Sequence, residues 1–149
     1  MREYPAAPLV GVGAVILDGG RVLLVKRGQP PALGRWSLPG GLVHVGEQLE
    51  AAVCREVAEE CGLAVAVHGL VGAVDRIVRD AEGRVRYHYV LLDYLVTPTA
   101  GRAEAGSDAL AVRWCEPDAL GALDVTDGVE SMVRRAFALE AERRQKEPG

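Results

Sequence analysis

Three glutamates lie close together on a stretch of the chain that predicts a helix. Glu47 to Cys61 contains no proline or glycine, and Gly62 follows where a C-terminal cap belongs, so we expect a helix of about four turns. The apolar side of this helix begins with Leu49, Ala52 and Val53. At the same helical spacing that side continues into Glu56, Glu59 and Glu60. Carboxylates at i, i+3 and i+4 share one face and repel one another.

This charge needs a cationic partner. Arg55 can reach Glu59 at i+4, but one guanidinium cannot neutralise three carboxylates and Glu47 as well. Hard divalent cations such as Mg²⁺ take oxygen ligands from carboxylates, carbonyls and water, and keep positions open for a substrate phosphate. The spacing therefore favours a metal site. The alternative is an acidic helix whose side chains point into water.

Strands surround this helix in the predicted order of elements. They are Leu9 to Leu17, Arg21 to Arg27, Leu63 to Arg79, Arg84 to Thr97 and Ala109 to Cys115. Pro98 to Asp108 is polar and contains glycine, which predicts a loop. A closing helix is expected to begin near Asp127, with Glu130 completing a capping box. Strands and helices interleave without an internal repeat, which predicts an α/β fold with a mixed sheet in a single domain, residues 1–149.

Composition excludes several classes of protein. With 149 residues, 49% hydrophobic and 26% charged, the chain can bury a core, so disordered and fibrous classes are excluded. Its net charge of −4 and scattered basic residues argue against a dedicated nucleic-acid surface. No apolar run is long enough to span a membrane and no secretion signal is evident, so we expect a cytoplasmic protein without membrane contact. The three cysteines, Cys54, Cys61 and Cys115, are expected to be small buried hydrophobes.

A longer pattern contains the glutamates. Gly41, five residues, Glu47, seven residues and then Arg55-Glu56-Val57-Ala58-Glu59-Glu60-Cys61-Gly62-Leu63 resembles the Nudix box with every fixed position filled. The similarity extends to the preceding segment Trp36-Ser37-Leu38-Pro39-Gly40-Gly41. A pattern of this length is far more specific than a lone glycine motif.

The resemblance implies an α/β/α sandwich and hydrolysis of a nucleoside diphosphate linked to another group, with Mg²⁺ or Mn²⁺ as cofactor. It implies that Glu56, Glu59 and Glu60 bind the metal together with a backbone carbonyl at Gly40 or Gly41. Arg55 would orient Glu47 and the other acids. Metal ions that bridge the phosphates neutralise charge and position water for attack on phosphorus, so no covalent nucleophile is needed.

Each candidate residue outside the box has two interpretations. Arg27 resembles a phosphate-contacting arginine of some family members, and its alternative is an exposed charge at a strand end. Arg76 is a second candidate for substrate phosphates, or a surface residue. Trp36 could stack on a base, although a tryptophan so near a leucine and a proline packs more often in the core.

Many family members use a further acid outside the box as a base or ligand. Glu104 and Asp108 are the candidates here, because both occupy the polar loop before the strand that begins at Ala109. Glu104 is favoured for its longer reach, and Gly101 and Gly106 would let this loop move over the acidic helix face.

The substrate and the assembly stay open at this point. The expected partner is a small nucleotide, but the stretch after the box carries none of the signatures associated with ADP-ribose, dinucleoside polyphosphates or NADH. A non-catalytic nucleotide sensor on the same fold is the alternative function. A homodimer is compatible with the sequence.

Overall fold

The computed structural model describes residues 2–106 and 108–147. Its strands are β1 (Leu9–Asp18), β2 (Arg21–Arg27), β3 (Trp36–Ser37), β4 (Gly40–Leu42), β5 (Leu63–Arg79), β6 (Val85–Gly101) and β7 (Ala109–Cys115). The helices are α1 (Leu49–Cys61), a short 3₁₀ helix (Pro117–Ala122) and α2 (Val129–Lys146). None of the helices in these ranges combines the length and apolar character needed to cross a bilayer.

The sheet is organised around β1. This strand runs parallel to β6, from Leu9 opposite Tyr89 to Ile16 opposite Val96. On its other side β1 pairs antiparallel first with β4, through residues 11–13, and then with β2, through residues 17–18. β5 pairs antiparallel with β6, while β2 pairs with β3 and β7. One parallel pair among antiparallel ones makes the sheet mixed, which confirms the predicted class.

Alternation along β1 places apolar side chains on both faces of the sheet. Ile16 belongs to the cluster that packs against Val53 and Val57 of α1. Its neighbour Leu17 belongs to the cluster that packs against Met132 and Val133 of α2. Successive strand residues point to opposite faces, so one helix covers each side and the α/β/α arrangement is confirmed.

The predicted end of β6 is wrong. The strand continues beyond Thr97 to Gly101, because its backbone keeps pairing with β5 as far as Leu63. Pro98 is accommodated at a register shift, opposite Val65, at a level where β1 is no longer alongside. The predicted loop therefore shortens to the residues after Gly101. Of these, Ser107 lies outside the described residues.

The start of α1 also differs from the prediction. The helix begins at Leu49 rather than at Glu47. Glu47 belongs to the preceding turn, where its backbone N–H donates to the His44 carbonyl at 2.9 Å and its carboxylate accepts from the His44 N–H at 3.0 Å. Local hydrogen bonding of this kind competes with the helix for the same backbone groups.

Two smaller expectations are wrong as well. The N-cap of α2 is Gly128, at φ 86° and without a side-chain cap, so neither Asp127 nor Glu130 forms the predicted capping box. Glycine accepts this left-handed conformation without strain. Cys54 is exposed on the outer side of α1, whereas Cys61 and Cys115 are buried as predicted.

Candidate active site

The acidic face of α1 is a direct consequence of how the helix packs. Val53 and Val57 are fully buried against the sheet, which fixes the rotation of the helix about its axis. Glu56 and Glu60 consequently lie at the edge of the buried side and are partly buried, while Glu59 is exposed. All three carboxylates line the same cleft.

Glu60 is a partly buried carboxylate, and the groups around it do not compensate for its burial. Burial raises the pKa of Glu60 to about 7, and the charges of Glu56 and Asp108 add to the rise. The Gly40 N–H, which donates to Oε2 of Glu60 at 3.3 Å, and the charge of Arg27 act in the opposite sense but do not outweigh burial. A cation bound beside Glu60 would remove this imbalance.

Arg55 ties the other acids together. Its Nε and one terminal nitrogen donate to the two oxygens of Glu47 at 2.8 and 2.9 Å, a bidentate pair. The second terminal nitrogen donates to Glu56 at 2.7 Å and to Glu59 at 3.3 Å, and a further bond reaches the Leu42 carbonyl at 3.0 Å. These hydrogen bonds lower the pKa of Glu47 to about 2 and raise that of Arg55. One guanidinium therefore links Glu47, Glu56 and Glu59 through charged hydrogen bonds.

The glycine pair of β4 makes the close approach between strand and helix possible. A Cβ on Gly41 would lie 2.5 Å from the Glu56 carboxylate, and one on Gly40 would collide with the Val12 carbonyl of β1. Glycine is needed at both positions because any side chain would push α1 away from the sheet or displace the carboxylate.

A cleft of about 380 Å³ begins at these carboxylates and extends across β1 to β5, β6 and the start of α2. Arg27 lines it from β2 and donates to the Pro31 carbonyl at 2.6 Å. Burial lowers the pKa of Arg27, against the charge of Glu60, yet a guanidinium keeps its proton. Arg76 lines the cleft from β5 and donates to the Asp127 carbonyl at 2.9 Å. Both predicted arginines thus share one cavity with the acids.

Two other predicted residues lie elsewhere. As far as the structure describes it, the cleft wall includes Asp108 but neither Trp36 nor Glu104. Trp36 packs against the apolar cluster beneath α2, where its ring is engaged in core contacts. Stacking of Trp36 on a base and a catalytic role for Glu104 stay predictions.

The position of Glu104 follows from the backbone of its loop. The Glu104 N–H donates to the Cys61 carbonyl and the Gly106 N–H to the Glu60 carbonyl, both at 2.9 Å. The last carbonyls of α1 have no partners within the helix, so these bonds satisfy them and anchor the loop to the helix end. A Cβ on Gly106 would collide with the Glu59 carbonyl, which keeps this contact close. The loop that we expected to move over the acidic face is instead tied to the end of α1.

Two cleft residues were not predicted from the sequence. Asp93 and Tyr89, on β6, are each 7% exposed and line the cavity. Burial raises the pKa of Asp93 to about 6, and only the charge of Arg76 lowers it. Alternation along β6 places Tyr89, Leu91 and Asp93 on one face of the sheet. The sequence signal for Asp93 is a single aspartate within an otherwise apolar part of the strand.

The donor set of the site fits a divalent cation. Within residues 2–106 and 108–147, no three acidic, histidine or cysteine side chains converge on one point. Glu56 and Glu60 are nevertheless close enough for one charge to raise the pKa of the other, and β4 brings the backbone of Gly40 beside them. Carboxylate and carbonyl oxygens are the ligands that Mg²⁺ and Mn²⁺ prefer.

Comparison with known proteins relates this site to a family. The NUDIX domain family model matches residues 7–136. An ADP-ribose pyrophosphatase of Methanocaldococcus jannaschii is 37% identical over 102 residues, which cover 68% of this chain and 58% of that protein. A MutT-like protein of Streptomyces ambofaciens is 32% identical over 146 residues, covering 89% of this chain and 88% of the relative. The crystal structure of a MutT NUDIX hydrolase from Burkholderia pseudomallei is similar with a TM-score of 0.73 at 34% identity, over 87% of this chain and 98% of that one. The family model covers most of the chain, so the chain belongs to the Nudix hydrolase family.

Proposed function

We propose that this chain is a metal-dependent pyrophosphohydrolase that cleaves a nucleoside diphosphate linked to another group. One observation carries the proposal: the acids of α1 share a single cleft with Arg27 and Arg76. A diphosphate needs cations on several sides, and an acidic helix face beside two guanidinium groups can supply them once a metal is bound. The relative named ADP-ribose pyrophosphatase supports this reaction class.

Glu56, Glu59, Glu60 and the Gly40 carbonyl are the proposed ligands of Mg²⁺ or Mn²⁺. When bound, such an ion neutralises phosphate charge and stabilises the charge that develops as the bond between phosphorus and the leaving oxygen breaks.

Side chains of the protein position the ligands, bind the phosphates and activate the water. Arg55 holds Glu47 and Glu56 in fixed positions through charged hydrogen bonds. Arg27 contacts phosphate oxygens from β2. Asp108 orients the water that attacks phosphorus and accepts its proton, because its carboxylate lies at the cleft and its charge acts on Glu60. The attacking water supplies the oxygen of the new bond, and the bridging oxygen leaves with the other group.

Product analysis with a panel of nucleotides tests this proposal. Nucleoside triphosphates, ADP-ribose, sugar nucleotides and dinucleoside polyphosphates are incubated with the protein and Mg²⁺, and products are quantified by chromatography. We expect turnover of at least one class, its loss in EDTA, and a fall in kcat of about 10²-fold or more for Glu56→Gln and Glu60→Gln. Glu50→Gln is the matched control, because Glu50 is an exposed acid in the first turn of the same helix.

Two results would overturn the proposal. One is turnover by Glu60→Gln at the parent rate with Mg²⁺, which would remove the metal assignment. The other is nucleotide binding without turnover of any substrate class, which would favour the non-catalytic sensor.

A further inference from the structure

The cleft contains an arginine that no motif of the sequence singles out. Besides Arg55, which is bound to the box glutamates, Arg27, Arg76 and also Arg2 line the cavity. The side chains of Arg27 and Arg76 donate to backbone carbonyls. In the described part of the chain, none of these three guanidinium groups forms an ion pair with a carboxylate. Cations that share a cavity repel one another, so an anion bound among them would lower the free energy of the site.

The Tyr89 hydroxyl is a buried donor near these arginines. Tyr89 is 7% exposed and lines the cavity, and its oxygen has no hydrogen-bond partner among the described residues. Burial raises the pKa of Tyr89, while the charges of Arg2 and Arg27 act in the opposite sense, so both guanidinium groups lie near the ring. A buried hydroxyl without a partner costs free energy, and a ligand oxygen held by the arginines could accept its hydrogen bond.

The segment before β1 is anchored beside Arg2. The Tyr4 hydroxyl donates to the Asp80 carboxylate at 2.8 Å, and the Tyr4 N–H donates to the Arg86 carbonyl at 2.7 Å. The Arg86 side chain in turn donates to Glu3 at 3.1 Å. Tyr4 has a φ of 50°, a conformation that few residues other than glycine adopt, so these contacts hold an otherwise unfavourable turn. The segment is thus tied to the tip of the β5–β6 hairpin two residues from the guanidinium that enters the cleft.

Arg27 lies between the acids of α1 and Arg2. The backbone that donates to Glu60 and the backbone of Tyr89 pair with β1 at positions four residues apart. Burial lowers the pKa of Arg27, and the charges of Glu60, Tyr89 and Arg2 all act on it, so its guanidinium is near both ends of this interval. A row of phosphates that begins at the acids of α1 would therefore meet Arg27 next and Arg2 after it. A triphosphate places a terminal phosphate with about two negative charges at the end of that row, whereas a diphosphate that ends in a sugar places a neutral group there.

We propose that Arg2 is a substrate-binding residue that, together with Arg27 and the Tyr89 hydroxyl, binds a third phosphate beyond the diphosphate held at the acids of α1. This proposal rests on the function proposed above and adds the substrate class, which is nucleoside triphosphates rather than diphosphates linked to a neutral sugar. A guanidinium donates two parallel hydrogen bonds to phosphate oxygens, and the phenolic O–H donates one more. Tyr4 is a positioning residue, since it acts on the substrate only through Arg2.

ATP and ADP-ribose test the proposal, because they share a base and differ in the charge of the group beyond the diphosphate. We expect Arg2→Gln to lower kcat/KM for ATP by about 10-fold or more, through KM, and to leave kcat/KM for ADP-ribose within about 3-fold, since only ATP loses a charged hydrogen bond. Tyr4→Ala should have the same selective effect and add little to Arg2→Gln in the double variant, because both changes remove one interaction. Arg2→Lys should keep part of the ATP rate. Arg113→Gln is the control, since Arg113 is an exposed arginine of β7 outside the described cleft wall.

Binding measurements separate this proposal from the proposed function. Calorimetry in EDTA measures the affinity of the parent and of Arg2→Gln for ATP and for ADP-ribose without turnover, and thermal unfolding reports whether the variant folds. An affinity for ATP that is about 10-fold lower in folded Arg2→Gln, with that for ADP-ribose unchanged, supports the role of Arg2 even if no substrate is hydrolysed. Equal ATP affinity in parent and variant, or equal losses of kcat/KM for ATP and ADP-ribose, would overturn it while leaving the proposed function intact.

Discussion

Replacing Glu60 by glutamine should stabilise the metal-free protein, and the gain should depend on pH. The pKa of this carboxyl rises from an ordinary 4.5 to about 7 on folding, mainly because it is buried. Below pH 4.5 the group is protonated in both the folded and the unfolded chain and costs nothing. Between pH 4.5 and 7 the unfolded chain loses the proton first, so the folded state is penalised, and above pH 7 the penalty is complete.

The size of the effect follows from the same values. At about 1.36 kcal/mol per pKa unit, the penalty is about 3 kcal/mol at pH 8 and below about 1 kcal/mol at pH 5. Glutamine removes the charge but remains a buried polar group and accepts a weaker bond from the Gly40 N–H, which reduces the gain. We therefore expect Glu60→Gln to raise the free energy of unfolding by about 1–3 kcal/mol at pH 8, or about 3–10 °C in Tm.

Thermal unfolding in EDTA at pH 5 and pH 8 measures this difference. Glu50→Gln, at an exposed position of α1, should change stability by less than about 1 kcal/mol at both pH values. Added Mg²⁺ should stabilise the parent more than Glu60→Gln, because the variant lacks a proposed ligand charge. A lower Tm for Glu60→Gln at pH 8, or a gain of equal size at both pH values, would refute the argument from burial.

Four further substitutions test the surroundings of the acids. Arg55→Ala should destabilise the protein by about 2–4 kcal/mol, because it leaves partly buried carboxylates without their donor. An unchanged Tm and an unchanged metal affinity would show that the arginine is only solvated. Gly41→Ala should lower activity with little change in secondary structure by circular dichroism, since its Cβ would lie 2.5 Å from the Glu56 carboxylate; parent kcat would contradict this. Asp108→Asn should reduce kcat by about 10²- to 10⁴-fold, whereas Glu104→Gln should leave kcat near the parent value. If Glu104→Gln has the larger effect, the loop moves during turnover; if neither changes kcat by about tenfold, no acid outside the box acts as base.

Much of the chemistry could be predicted from local sequence. The helix that carries the acids depends on neighbours in the chain: an uninterrupted run of helix formers, a glycine cap at Gly62 and apolar residues at helical spacing. The contact of Arg55 with Glu59 spans one helical turn and follows from the same period. Periodicity alone leaves a solvated acidic helix as an alternative, and the length of the box pattern favours a metal site.

Boundaries and caps were less predictable, because they depend on contacts distant in the chain. Pro98 ends a strand by its own chemistry, yet β6 continues to Gly101 since β5 remains available as a partner. Asp127 is a good N-cap by type, but the entry of the chain into α2 places Gly128 there.

The sequence by itself determined the family, the acidic helix and the arginine that orders it, because each is encoded within a few turns of one helix and the strand before it. Only the tertiary structure decided which distant residues share the cleft. Asp108 reaches the cavity while Glu104 is tied to the end of α1, although only four positions separate them. Asp93 is buried in the cleft wall because β6 lies between β1 and β5, which are distant from it in the chain. The burial of a side chain and the charges around it depend on all the elements packed against it, and the spacing of residues along the chain does not specify those elements.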